Sequence, residues 1–215
     1  MIILDFDQTL FDTHAFKHAR AKVLAEKHGV SEDLFWKTYF FARDQHLSGY
    51  SDNSHAEALA GEGYEVDGIK ESLYAVSNAS KQFIYPGVVD GLEKLRSAGK
   101  KIMLCTFGDP AHQERVVRGT GLHAFFDRVL YTNKAKHLAL AEEFSSAPAP
   151  VRAWFVNDKI EETFLVKSAH AWCVPILHKP PEADESAYHD SQMLWFGSFP
   201  SIVEYLLSVE DSLLL

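Results

Sequence analysis

From Tyr85 onward, short apolar runs alternate with amphipathic segments, and this rhythm limits the fold more than any other feature of the chain. PGVVDGLEKLRSAGK reads as a helix opened by Pro86 and closed by Gly99, with Val88, Leu92 and Leu95 facing inward. KIMLCT follows as a strand. The spacing then predicts a helix near Pro110–Arg118, a strand RVLY at 128–131, a helix near Lys134–Phe144 and a loop SSAPAP. After these come a strand AWFV at 153–156, a helix from Lys159, a strand AWCVPI, a Pro- and acid-rich loop from Lys179, a short strand MLWF and a helix through Leu207. Strands separated by helices of this length are joined by right-handed crossovers and run parallel, which predicts a doubly wound α/β sheet. Such sheets bind ligands at the carboxyl ends of their strands.

The first third of the chain has a different pattern. Ile2-Ile3-Leu4 reads as a strand, but residues 14–82 show only helical spacing. AFKHARAKVLAEKHG aligns Phe16, Ala19, Val23 and Leu24 and stops at Gly29. Ser31 caps a second helix with Leu34, Phe35, Thr38, Phe41 and Ala42 on one face. A broken stretch from Ser48 to Gly63 holds a short helix around His55–Ala60, and a further helix runs from Val66 to Lys81 with Ile69, Leu73 and Val76 aligned.

Composition narrows the function. The chain of 215 residues is 47% hydrophobic and carries a net charge of −9, so a nucleic-acid partner, which requires a basic face, is not expected. No apolar run is long enough to cross a bilayer and no leader-like segment is evident, so a cytoplasmic protein without membrane association is expected, as a monomer or homodimer. Cys105 and Cys173 sit in apolar strand-like runs without CxxC spacing and read as reduced core thiols. The eleven histidines show no metalloprotease-type pairing.

The chemistry lies where the strands end. The first strand delivers Asp5, Asp7 and Thr9; the second ends at Thr106, followed by Phe107, Gly108 and Asp109. The third ends in Thr132-Asn133-Lys134, with Lys136 close behind, and the fourth in Asn157-Asp158, with Glu161 and Glu162 one helical turn on. Period-two alternation puts Asp5 and Asp7 on one side, where two anions repel unless a cation or a shared proton lies between them. These four strand ends, in order over residues 5–162, resemble the four motifs of the haloacid dehalogenase-like (HAD) hydrolase superfamily. YPGVVDGLEKLRSAGKKIMLCTFGD and the helical insertion between the first two motifs are similar as well.

The resemblance implies an α/β fold: a doubly wound (Rossmann-like) core of residues 1–13 and 84–215, with an inserted all-α cap domain at 14–83. It implies Asp5 as nucleophile, Asp7 as general acid and base, Thr106 with the N–H groups near Phe107 and Gly108 as the phosphate cradle, and Lys134 as the neutralising cation, Lys136 being the alternative. Magnesium would be held by Asp5, the Asp7 carbonyl and Asp158, with Glu162 holding its waters or adding a ligand. Asn157 stands where the family usually has glycine, Glu162 where aspartate is commoner, and no proline follows the lysine. Because halide leaves without a proton, Asp7 favours phosphoryl over halide chemistry. The expectation is a magnesium-dependent phosphatase of a small phosphomonoester. The alternatives are a phosphotransferase or phosphomutase on the same core, or an inactive binding protein. In the insertion, His46, Tyr50, His55 and Tyr64 are candidates to reach a leaving group, and Trp36, Phe40 and Phe41 read as packing. His14 and His18, just past the first motif, read equally as exposed or functional.

Overall fold

The computed structural model describes residues 1–45, 49–145 and 149–209. The opening run forms β1 (Ile2–Leu4), and the helices of the insertion follow it: α1 (Thr13–His28), α2 (Glu32–Asp44), α3 (Asp52–Ala60) and α4 (Val66–Asn78). Then follow α5 (Val88–Ser97), β2 (Ile102–Phe107), α6 (Pro110–Thr120), β3 (Arg128–Thr132) and α7 (Lys136–Glu143). The chain continues through β4 (Ala153–Asn157), α8 (Ile160–Ala169), β5 (Cys173–His178), α9 (Glu185–Asp190), β6 (Leu194–Phe196) and α10 (Phe199–Ser208). All neighbouring strands are parallel, in the order β3-β2-β1-β4-β5-β6. The sheet is the doubly wound one the alternation predicts.

Its continuous apolar strands are explained by burial on both faces. Ile2, Leu4, Ile102, Leu104, Trp154 and Val156 pack with Leu92, Leu95, Val116 and Ile202 on one side. The alternate residues Ile3, Met103, Cys105, Ala153 and Phe155 pack with Leu140 and Val166 on the other. Each fully buried aliphatic side chain contributes about 1.5–3 kcal/mol. Helices α1–α4 bury an apolar cluster of their own, centred on Leu24, Phe35, Tyr39, Leu59, Ile69 and Leu73. Both cysteines are free and buried, and burial pushes each thiol up to about 12.

Several local expectations are corrected. In α2 the buried face is Phe35, Thr38, Tyr39 and Ala42, while Phe40 and Phe41 are exposed rather than packed. Trp36 does pack against the helical cluster. Pro86 does not open α5; Gly87 stands at its N-cap with φ +77°, where an added Cβ would meet Pro200 at 2.6 Å. The acid-rich loop after Lys179 contains α9, capped by the Asp184 side chain, too short for its periodicity to be read. His46 and the centre of the SSAPAP loop lie outside the described residues. Among the described residues, no helix is long and apolar enough to cross a membrane.

Candidate active site

The strand order reverses between β1 and β4, and in a doubly wound sheet the crevice outside such a reversal is where ligands bind. Asp5 leaves β1 there, its N–H donating to the Val156 carbonyl at 2.9 Å, and Asp158 leaves β4 beside it. Asp5 is 3% exposed. Its Oδ1 accepts a 2.7 Å ion pair from the Lys136 ammonium, which also reaches Glu162 Oε2 at 2.7 Å and Asn157 Oδ1 at 3.2 Å.

Lys134, preferred on sequence grounds, is therefore displaced by Lys136. The Lys134 ammonium is half exposed and bound to Glu142 at 2.7 Å. The helix α7 starts only at Lys136, and its buried face is Lys136, Ala139 and Leu140, while Leu138 is 53% exposed. Glu162 Oε2 meets the Lys136 ammonium at 2.7 Å and accepts from the Asn157 amide at 3.1 Å, an arrangement that holds the lysine in place. Among the described residues no three His, Cys, Asp or Glu side chains converge as a metal cluster. Asn157 is fully buried and also donates to Thr163 Oγ1 at 3.1 Å, cross-linking the start of α8 in a way glycine could not.

Asp7 lies on the solvent side of Asp5, in the cavity wall. Its Oδ1 accepts from the Thr13 hydroxyl at 2.6 Å and its Oδ2 from the Gln113 amide at 3.0 Å. Gly108 makes room for that amide: its φ is +150°, and an added Cβ would meet Gln113 Nε2 at 2.8 Å. The Gly108 N–H, expected to be free for phosphate, donates to the Thr132 carbonyl at 2.8 Å. Phe107 is the last residue of β2, paired with Thr132. The Thr106 hydroxyl, by contrast, is buried without a hydrogen-bond partner among the described residues, as is that of Thr9. Asp109, at the same strand end, caps α6 through the His112 N–H at 2.9 Å. Thr13 and Gln113 were not singled out from sequence; no spacing marks a residue that reaches Asp7 from another helix.

Electrostatics explains what the acids require. Burial pushes the Asp5 carboxyl above its ordinary range, with Lys136 opposing. Burial and the charge of Asp5 push Asp158 up to about 8, with Lys159 and Lys136 opposing. For Lys136, burial disfavours the charge but Asp5 and Glu162 outweigh it, so the ammonium is held protonated well above its usual value. For Glu162, burial is likewise outweighed by Lys136, leaving the carboxylate below its usual range. Asp158 Oδ1 is buried without a hydrogen-bond partner among the described residues. An orphaned carboxylate oxygen beside a second carboxylate suits a hard cation, and magnesium characteristically takes one or two protein carboxylates and fills the rest of its sphere with water and phosphate oxygens. The residues fit magnesium through Asp5, Asp158 and the Asp7 carbonyl.

Asp7 and Asp158 open into a cavity of about 350 Å³ whose lining includes Lys17 and Arg20 of α1, Arg43 of α2 and Tyr50 from the segment before α3. A larger depression of about 610 Å³ also touches Asp158, but Glu161, Glu162 and Glu182 line it and would repel an anionic substrate. Of the histidines past the first motif, His14 lines the smaller cavity. His18 contacts His14 at 3.2 Å and the Trp36 ring. Tyr64, instead of facing a ligand, donates weakly to the Gly29 carbonyl at 3.4 Å. His55 is fully buried against Tyr50 Oη at 2.9 Å and Thr38 Oγ1 at 3.0 Å.

His55 yields a pH prediction. Burial, and then the charge of Arg20, lower its pKa to about 3. The unfolded chain, at about 6.5, binds the proton more readily, so this stabilisation is complete above pH 6.5 and is lost as pH falls from there towards 3. At pH 5 the loss is about 2 kcal/mol, and His178, also lowered by burial, acts in the same direction. Denaturant unfolding at pH 7 and pH 5 should show His55→Gln losing about 2 kcal/mol less between the two than the unaltered protein. Equal losses would show that His55 is not held neutral.

Residues 1–150 match a family model described as haloacid dehalogenase-like hydrolase. No curated protein matches the sequence. A structure from Burkholderia xenovorans LB400 described as a haloacid dehalogenase-like hydrolase has a TM-score of 0.76 at 19% identity, covering 94% of this chain and 96% of that one. The HAD-hydrolase YfnB from Bacillus subtilis, bound to magnesium, has a TM-score of 0.70 at 14% identity, covering 97% and 98%. L-2-haloacid dehalogenase from Xanthobacter autotrophicus, with chloropropionic acid covalently bound, has a TM-score of 0.67 at 14% identity, covering 98% and 100%. At these identities the likeness is one of fold.

Proposed function

The chain belongs to the haloacid dehalogenase-like hydrolase family, and from that premise we propose a magnesium-dependent phosphatase that hydrolyses a small phosphomonoester through an aspartyl-phosphate on Asp5. The observation that carries this reading is Asp7, held at the cavity wall by Thr13 and Gln113 on the open side of Asp5. A carboxyl group there serves a leaving alkoxide, which needs a proton; a leaving halide needs none.

In the first step an ionised Asp5 oxygen attacks phosphorus, the bond to the ester oxygen breaks, and Asp7 gives its proton to that oxygen. In the second, Asp7 takes a proton from water, whose oxygen attacks phosphorus and releases Asp5 and inorganic phosphate. Lys136 balances the charge of Asp5 and of the phosphoryl group, held in register by Glu162 and Asn157. The unpartnered Thr106 hydroxyl donates to a phosphoryl oxygen. Magnesium, when bound, supplies positive charge to the phosphoryl oxygens and offsets the repulsion between Asp5 and Asp158.

The test is a phosphomonoester panel with and without magnesium, beside a 2-chloroalkanoate monitored for halide. Phosphate release that stops on chelation with EDTA and returns with magnesium is the expected result. Halide release without phosphate release would overturn the reading. An added polyol in the same assay separates hydrolysis from phosphotransfer, since a transferase would phosphorylate the polyol.

A further inference from the structure

The residue after Asp7 is held in a backbone conformation that its own type disfavours. Gln8 has φ +55°, in the left-handed region that glycine enters freely and a residue with a side chain enters at a cost. Both of its main-chain groups are pinned: the N–H donates to the Phe11 carbonyl at 2.8 Å, and the carbonyl accepts from His178 Nδ1 at 2.7 Å. His178 is 2% exposed at the end of β5, so packing against a distant strand imposes the conformation. Backbone strain of this kind points to function where the side chain that causes it is itself placed to act.

The Gln8 side chain is half-buried and lines both depressions that meet at Asp158, the 350 Å³ cavity and the 610 Å³ one. Its Oε1 accepts from the Tyr85 hydroxyl at 2.6 Å, so the carbonyl end of the amide is taken. Nε2 has no hydrogen-bond partner among the described residues and, unlike the Thr106 hydroxyl, is not sealed from solvent. Its two N–H donors are therefore available one residue from Asp7. Gln192 shows that strain alone marks nothing: it shares φ +55°, but it is exposed and lines neither depression.

We propose that Gln8 determines specificity by donating from its free amide to an oxygen of the leaving group, so that the substrate is the phosphomonoester of a hydroxylated alcohol, a polyol or a sugar. This rests on the phosphatase reading for the phosphate only. Tyr85 is the positioning residue that orients the amide. The neighbouring lining, Phe11, Phe16, Phe107 and Val116, accommodates carbon chains of either kind, so discrimination falls to the donor. A ligand without the acceptor covers that donor and leaves it unmet.

Binding is measured by titration calorimetry with magnesium on the Asp5→Asn protein, so that turnover does not intervene. Two ligand pairs each differ by their hydroxyls: glycerol 3-phosphate against propyl phosphate, and ribitol 5-phosphate against pentyl phosphate. In at least one pair the hydroxylated ligand should bind about threefold tighter or more. A smaller ratio in both pairs, or no binding by either hydroxylated ligand, overturns the proposal. In the same background Gln8→Gly should bring that ratio below about twofold with a melting temperature within about 3 °C, because glycine adopts the same backbone and only the amide is lost. Any loosening of the backbone weakens both ligands of a pair alike, so a ratio that stays above twofold overturns the role of Gln8. Tyr85→Phe releases the amide without removing it and should lower the ratio as well; an unchanged ratio overturns the tether. If the unaltered enzyme hydrolyses no phosphomonoester, the phosphatase reading fails, while the affinity ratios still decide the role of Gln8.

Discussion

Asp5→Asn should abolish phosphate release, by about 10⁴-fold or more in kcat, while the protein stays folded. The amide keeps the shape of the carboxylate, so the buried space at the end of β1 is filled as before, and its oxygen can still accept from Lys136. Asparagine, however, lacks the anionic oxygen that attacks phosphorus. The cost in stability is limited because two effects oppose: the Lys136 ammonium loses one of its two carboxylates, and the repulsion between Asp5 and Asp158 disappears. Circular dichroism and a melting curve beside the phosphate assay separate loss of chemistry from loss of fold. Turnover within tenfold of the unaltered enzyme would remove Asp5 from the nucleophile's role.

Lys136→Met and Lys134→Met should differ sharply. Lys136 is 2% exposed and is the cation shared by Asp5 and Glu162. Removing it leaves two carboxylates buried without their counter-charge, a loss of about 3–5 kcal/mol of stability. The same change removes a preorganised charge from the reacting centre, worth about 10²–10³ in kcat. Lys134 forms a half-exposed pair with Glu142, and such pairs contribute at most about 1 kcal/mol. Its removal should leave kcat within about twofold. Denaturant unfolding and steady-state kinetics on both variants test the contrast, and equal mild effects would show that neither lysine neutralises the site.

The lysines illustrate how far sequence reasoning reached. Strand ends are legible because an apolar run must stop where polar residues start, so Asp5, Thr106, the lysine region and Asp158 could be found along the chain. Which lysine turns inward depends on where an eight-residue helix starts: Lys136 is its first residue, while Lys134 lies before the Ala135 N-cap. Glu162 was correctly placed one turn beyond Asp158, but the sequence could not show that Lys136 occupies its oxygen. Gln113 and Thr13 were passed over for a related reason: each reaches Asp7 from another element, and a polar residue on a helix face has the same local pattern whether it meets water or a catalytic acid.

The sequence by itself determined the parallel doubly wound sheet, the helical insertion between the first two strands, and the acids that leave β1 and β4. Periodicity and strand boundaries are local properties, set by which residues can be buried. Only the tertiary structure decided that Lys136 reaches Asp5 and that Gly108 yields its space to Gln113. Those arrangements arise where segments distant in the chain meet, and there the available partners, charges and volume are set by the packing.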